Sequence, residues 1–411
     1  VTRPLLSRGR IDGISAAELS RRFGTPLFVY SAQALRGRLA ALQAAFKRRV
    51  PLVCYALKAN SNRAVCTVLA RAGAGADIVS GGELARALAA GFRPEKTVFS
   101  GVGKTEEEMA LALRAGVLAF NVESSEELDA LSRTAGRLRR RAPVSVRLNP
   151  DVAAGAHPHI TTGRAENKFG VEPKEALALY ARALRDPHLR VVGVQCHIGS
   201  QITDIAPFRR AAQAVAKTVK AAAALGARLS HIDIGGGIGI TYKDEKPLPL
   251  EKFASVLEET FAPFPDARIV VEPGRYLCAD AGLLLTRVLY RKKTTRRRFL
   301  IVDAAMTDLP RPALYGAWHP VEPVSPRAGA RSLADVVGPV CETGDFLARG
   351  RLLPPMERGD LLAVGKAGAY GFAMSSQYNS RPRAAEVLID KAKARLARRR
   401  ETLEDLTAAE L

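Results

Sequence analysis

Short runs of apolar, β-branched residues alternate along most of the chain with longer stretches whose apolar positions recur every three to four residues. The first texture predicts strands at 52–56, 76–79, 97–100, 119–122, 144–148, 191–196, 231–234 and 268–271. The second predicts helices at 31–46, 63–72, 82–90, 105–115, 124–134, 172–184, 207–225 and 250–261. Ser124 followed by Glu127 predicts a capping box at one of these helix starts. Strand–helix alternation implies a parallel sheet. Eight repeats in about 250 residues match a (β/α)8 TIM-like barrel better than an open doubly wound sheet, which predicts an α/β fold with a barrel over 27–277.

The texture changes after Cys278. Residues 288–290, 299–302, 336–341 and 361–364 read as strands with no regular helices between them, separated by proline-rich turns. We expect a C-terminal antiparallel β domain there, a sandwich or barrel, ending in a short helix over 391–399. The N-terminal segment 1–26 falls outside the barrel repeat and is expected to join it, so that 1–26 with 278–411 makes a second domain.

Composition adds two constraints. The chain has 411 residues, 47% of them hydrophobic and 25% charged, which suits a folded chain and excludes disorder or collagen. With 62 Lys+Arg against 41 Asp+Glu it carries a net charge of +21, which raises the question of a nucleic-acid or membrane-surface partner. The basic runs at 137–141, 291–298 and 391–400 carry no interleaved stacking aromatics, and only 6% of the chain is aromatic, so neither partner is expected. No stretch approaches the roughly 18–20 apolar residues of a membrane helix. The start VTRPLLSRGRIDG lacks the apolar core of a signal peptide. Five scattered cysteines without a C-x-x-C pair argue against a disulfide framework or a metal site and suggest a cytoplasmic protein.

A barrel places chemistry just after the C-terminal ends of its strands. Strand one there ends in Lys58, whose desolvated amine suits a Schiff base, although a lysine snorkelling at the rim is the plainer alternative. Strand six ends in His197 and Ser200. Strand seven ends in Gly235, Gly236 and Gly237, where bare backbone can approach an anion closely. Strand eight ends in Glu272, Pro273, Gly274 and Arg275. All of these fall at one end of the barrel. A lysine, a phosphate cradle and an acid for a ring nitrogen together point to pyridoxal 5′-phosphate.

Segments distributed over nearly the whole chain carry a resemblance. They are YALKAN at 55–60, TGRAENKFG at 162–170, HIGSQ at 197–201, the glycine run and EPGR at 272–275. Beyond the barrel come RPALY at 311–315, GPVCETGD at 338–345, AYG at 369–371 and YNSRP at 378–382. In this set and order the chain resembles the barrel-type (fold-type III) PLP-dependent decarboxylases, and among them the diaminopimelate decarboxylase family. Ala305, Thr307, Thr343 and Gln377 depart from the family's usual residues but remove no charged or nucleophilic group.

The resemblance implies decarboxylation of meso-2,6-diaminopimelate to L-lysine and CO2, the last step of lysine biosynthesis. It implies that Lys58 forms the Schiff base and His197 stacks on the cofactor ring. Ser200, Gly236, Gly237 and the backbone at Pro273 and Gly274 would hold the phosphate, with Glu272 on the ring nitrogen. Tyr370 would close over phosphate and substrate. Arg275, Arg311 and Tyr315 would hold the distal carboxylate and Glu342 the distal ammonium. Cys341 would protonate the product carbanion, with Cys341 and Glu342 supplied by the partner subunit of a homodimer. The alternatives are a sister decarboxylase acting on ornithine, arginine or carboxynorspermidine, an amino-acid racemase, and a non-catalytic PLP carrier. Arg311, Tyr315 and the 341–345 run favour a substrate with a distal carboxylate, and the large C-terminal region argues against a bare carrier.

Overall fold

The computed structural model describes residues 4–153 and 167–411, so residues 162–166 of the TGRAENKFG segment lie outside the described residues. Contacts divide the chain into two units. One comprises Gly37–Ile240 with Lys246–Tyr276; the other comprises Val1–Arg36, Thr241–Glu245 and Leu277–Leu411.

The first unit is a closed eight-stranded barrel in which every neighbouring pair is parallel. Its strands are Leu52–Ala56, Gly75–Ile78, Thr97–Phe99, Ala119–Val122, Ala142–Leu148, Leu189–Cys196, His231–Asp233 and Arg268–Val271. Closure comes where strand eight meets strand one, Val270 opposite Leu52. Strands covered on both faces read as nearly continuous apolar runs, because helices shield the outside and side-chain layers fill the inside. That is why the first, fourth and eighth strands match their predicted limits. Several helices begin on side-chain caps: Ser80 accepts from the Glu83 N–H, and Thr105 forms a reciprocal capping box with Glu108. At the next helix Ser124 accepts from the Glu127 N–H as predicted. The Glu127 carboxylate, however, takes the Glu123 N–H and pairs with buried Lys104 at 2.6 Å.

The second unit is built on the strand Gly282–Lys293. It pairs antiparallel with Leu27–Ser31, with Arg298–Val302 and with Leu361–Val364. The expected antiparallel sheet is mixed: Leu27–Ser31 runs parallel to Ala385–Asp390, and Arg298–Val302 runs parallel to Ser332–Val337. The N-terminal strand that joins this sheet is Leu27–Ser31, all five residues of which are buried. Residues before it form a small three-stranded sheet of their own. Leu27, Val29, Leu283, Leu285, Val387 and Ile389 interlock as the unit's core. The strand expected over 336–341 ends at Val337, and Cys341 lies in the turn beyond. No helix among the described residues is long and apolar enough to cross a membrane.

The helix expected over 391–399 is instead the strand Lys393–Arg398, paired antiparallel with Ala385–Asp390. Lys, Ala, Leu and Arg are good helix formers, but residues 385–390 offer an edge and a two-residue turn joins the strands. Lys391 and Ala392 both take positive φ there, 49° and 55°, as a tight hairpin requires. Ala pays a steric cost in this region of about 1 kcal/mol that Gly does not. Ala392→Gly should therefore raise the urea midpoint of unfolding, and Ala392→Val should lower it. Equal midpoints for the three proteins would show that the hairpin does not constrain the fold.

Candidate active site

Parallel closure brings the ends of all eight strands to one rim, and the barrel-borne candidates line it. Lys58 sits in the single turn Leu57–Ala59 that follows strand one. Leu57 and Ala59 are buried while Lys58 points outward, its Nζ 3.4 Å from Oδ2 of buried Asp77. The turn is held by the Tyr55 hydroxyl, which donates to the Asn60 carbonyl at 2.9 Å.

Glu272 and Asp233 face one another inside the barrel. Gln195 donates to Oε2 of Glu272 at 3.0 Å and the Gly235 N–H donates to Oδ1 of Asp233 at 2.8 Å. Among the described residues, Oδ2 of Asp233 and Oε1 of Glu272 have no donor from outside the pair. Burial raises Glu272 well above the usual carboxylate range, and the charges of Asp233 and Asp77 add to it, with Lys58 opposing. Burial likewise pushes Asp233 up to about 7, and the two acids share a proton. A cation arriving beside this pair would ionise it.

The glycine run lies next to these acids. A Cβ on Gly236 would stand 2.3 Å from the Glu272 carbonyl, and one on Gly237, at φ +95°, 2.5 Å from the Gly199 carbonyl. Only hydrogen fits at either position, so the backbone itself forms the cradle's surface. The Gly236 N–H donates to Nδ1 of His197 at 3.1 Å, which leaves that nitrogen as an acceptor. Burial first, then the charges of Lys58 and Arg147, hold His197 well below its ordinary value, so the ring is neutral. Arg275 donates from Nη2 to the Ser200 hydroxyl at 3.0 Å. A Cβ on Gly274 would stand 3.0 Å from that of Ala59 and 3.2 Å from that of Ala56, so glycine lets this loop sit close against the lysine turn. An anion cradle, a flat neutral ring, a buried acid pair and an amine fit the phosphate, ring face, ring nitrogen and aldehyde of pyridoxal phosphate.

The remaining candidates belong to the second unit. Arg311 opens the short helix Arg311–Tyr315 and is buried. Its Nη1 lies 2.8 Å from Nε2 of His319, and its guanidinium sits 4.6 Å over the Tyr242 ring. Tyr315 is half-buried at the end of the same helix, and Tyr370, at φ 55°, is half-buried in the loop after Leu361–Val364. Cys341 and Glu342 are exposed on a turn built around buried Asp345. Asp345 accepts from the Val340 and Met306 N–H groups, both at 2.7 Å. Asn379 accepts from the Cys341 N–H at 2.8 Å. This turn presents thiol and carboxylate outward.

Motif reading missed Asp77, Asp233, Arg147, Asp345 and His319. A charged residue inside an otherwise apolar strand run, as in GADIV, SVRL and HIDIG, is the signal that would have found the first three. Arg147 is buried and pairs with Glu123 at 2.8 Å.

Comparison with known proteins agrees with this chemistry. Residues 33–279 match the pyridoxal-binding domain of the pyridoxal-dependent decarboxylases. The chain is 52% identical over 399 residues to the diaminopimelate decarboxylase of Pseudomonas aeruginosa, covering 97% of this chain and 96% of that protein. It is 50% identical to the enzyme of Neisseria meningitidis serogroup A, covering 96% of each. The crystal structure of the Helicobacter pylori diaminopimelate decarboxylase complexed with L-lysine superimposes with a TM-score of 0.93 at 44% identity, covering 96% of this chain and 98% of that one. Identity of this order along almost the whole length, on the same fold and with a rim suited to the same cofactor, settles the family: the chain belongs to the diaminopimelate decarboxylases, which are pyridoxal-dependent carboxy-lyases.

Proposed function

We propose the following division of labour for the family's reaction, the conversion of meso-2,6-diaminopimelate to L-lysine and CO2. The observation that carries it is the gathering of Lys58, the glycine cradle and the buried Glu272–Asp233 pair at one rim. When bound, pyridoxal phosphate supplies an electron sink for the pair left behind as the Cα–carboxylate bond breaks. Lys58 holds its aldehyde end, with Asp77 orienting the amine. Glu272 holds the ring nitrogen and, charged by that contact, keeps it protonated. His197, neutral, packs on the ring. The backbone at Gly236, Gly237, Pro273 and Gly274, with the Ser200 hydroxyl, holds the phosphate.

The second unit supplies what distinguishes the substrate. Its non-reacting end carries both a carboxylate and an ammonium, so its site needs cations and an anion. Arg311, with Tyr315 and the barrel's Arg275, takes the carboxylate, and Glu342 takes the ammonium. Tyr370 covers phosphate and substrate, excluding water. The Cys341 thiol carries the proton delivered to Cα after CO2 leaves. Cys341 and Glu342 stand on an exposed turn, which suits a homodimer in which each subunit lends them to the other's site. L-lysine, present in the Helicobacter pylori structure, is the product this reading requires. None of the five cysteines forms a disulfide and four of them are buried, which suits the reducing cytoplasm.

Borohydride treatment of the purified holoenzyme should fix the cofactor on Lys58, located by peptide mass spectrometry; an adduct on another lysine would overturn that role. In a CO2-release panel, meso-diaminopimelate should be the best substrate, and faster turnover of L-ornithine would transfer the assignment to a sister decarboxylase. Cys341→Ala should lower kcat about a hundredfold or more while leaving cofactor loading unchanged. Mixing inactive Lys58→Ala with Cys341→Ala should restore activity approaching about a quarter of wild type, through hybrids with one intact shared site. No restoration in verified hybrid dimers would place Cys341 in its own subunit's site.

A further inference from the structure

Outside the residues assigned above, the second unit contains a closed ring of contacts around Arg311. His319 is fully buried. An arginine Nη can only donate, so Nε2 of His319, 2.8 Å away, is the acceptor and the ring proton resides on Nδ1. Nδ1 donates in turn to the Gly365 carbonyl at 2.9 Å. One tautomer therefore satisfies both sides, and the imidazole acts as a rigid spacer between backbone and guanidinium.

The neighbours fix the spacer. Tyr242 meets the His319 ring edge-to-face at 5.2 Å and lies under the Arg311 guanidinium. Arg351 donates to the His319 carbonyl at 3.1 Å while stacking on Trp318. Lys366, next to Gly365 and at φ 55°, donates to the Thr241 carbonyl and lies 3.7 Å from Asp280. The path runs from Tyr242 through Thr241, Lys366, Gly365 and His319 to Arg311, and returns to Tyr242.

We propose that His319 is a positioning residue that sets the plane of the Arg311 fork and thereby the enzyme's selection for a substrate with a distal carboxylate. This rests on the reading of Arg311 as that carboxylate's partner. A planar guanidinium recognises a carboxylate through paired N–H donors, so its orientation matters as much as its charge. Because CO2 is lost at the opposite end of the substrate, His319 acts on capture rather than on bond breaking.

The test compares His319→Gln, whose amide offers a carbonyl to Arg311 and an N–H to Gly365, with His319→Phe, which keeps a ring but no acceptor. Holoenzymes are assayed with meso-diaminopimelate at matched cofactor absorbance. His319→Phe should raise KM about tenfold or more while kcat stays within about twofold, and His319→Gln should stay near wild type. Placed on Arg311→Met, His319→Phe should raise KM no further. An unchanged KM in His319→Phe, a joint loss of kcat and cofactor binding, or no rescue by Gln would overturn the proposal. Arg311→Met with wild-type KM would overturn the Arg311 reading itself, a separate outcome. If His319→Phe does not fold, His319→Asn, with an amide too short to bridge both partners, takes its place with the same expected rise in KM.

Discussion

Asp77, Asp233 and Glu272 put three carboxyl groups inside a parallel barrel whose strands are mostly apolar. Charge in such a place is costly unless something pairs with it. Lys58 answers Asp77 from the rim, and Glu272 and Asp233 relieve each other by sharing a proton. The same arrangement prepares the site. Under the roles proposed above, a protonated ring nitrogen would fit beside these acids and ionise the pair. The glycine cradle has to lie close by, because phosphate and ring nitrogen belong to one rigid molecule.

The barrel was legible because physics writes it plainly. Unbroken apolar runs such as 52–56 suit a strand covered on both faces, and a rim residue follows each run by construction. The second unit was less legible for a reason of context. KARLAR at 393–398 satisfies helix propensity and strand alternation equally, and the partner edge at 385–390 decided between them. Leu27–Ser31 likewise looks like the start of a barrel repeat, yet its pairing with Gly282–Lys293 places it in the other sheet.

Within the site, motif reading found residues to which the proposed function gives direct roles and missed those that hold them in place. Lys58 and Glu272 stand in recognisable strings, whereas His319 and Asp345 act through hydrogen bonds to residues and backbone distant in sequence. A lone histidine between a tryptophan and a proline carries no local signal of what it supports. The net charge of +21 also became ordinary on inspection. Much of it is exposed arginine, some of it paired as Arg133 and Arg137 are with Glu106, and such pairs add little to stability. A positive field around the molecule still favours approach of a dicarboxylate and a phosphate.

The loops after the third to fifth strands are stitched by two buried ion pairs, Lys104 with Glu127 and Arg147 with Glu123. Glu123 accepts the Gly101 and Gly170 N–H groups as well, so one carboxylate ties three loops together. Removing one member of such a pair strands a charge in the interior, at a cost of about 3–5 kcal/mol, whereas exchanging both for well-packed apolar residues is often tolerated. Substitution at these positions is therefore non-additive: changing one partner costs far more stability than exchanging both.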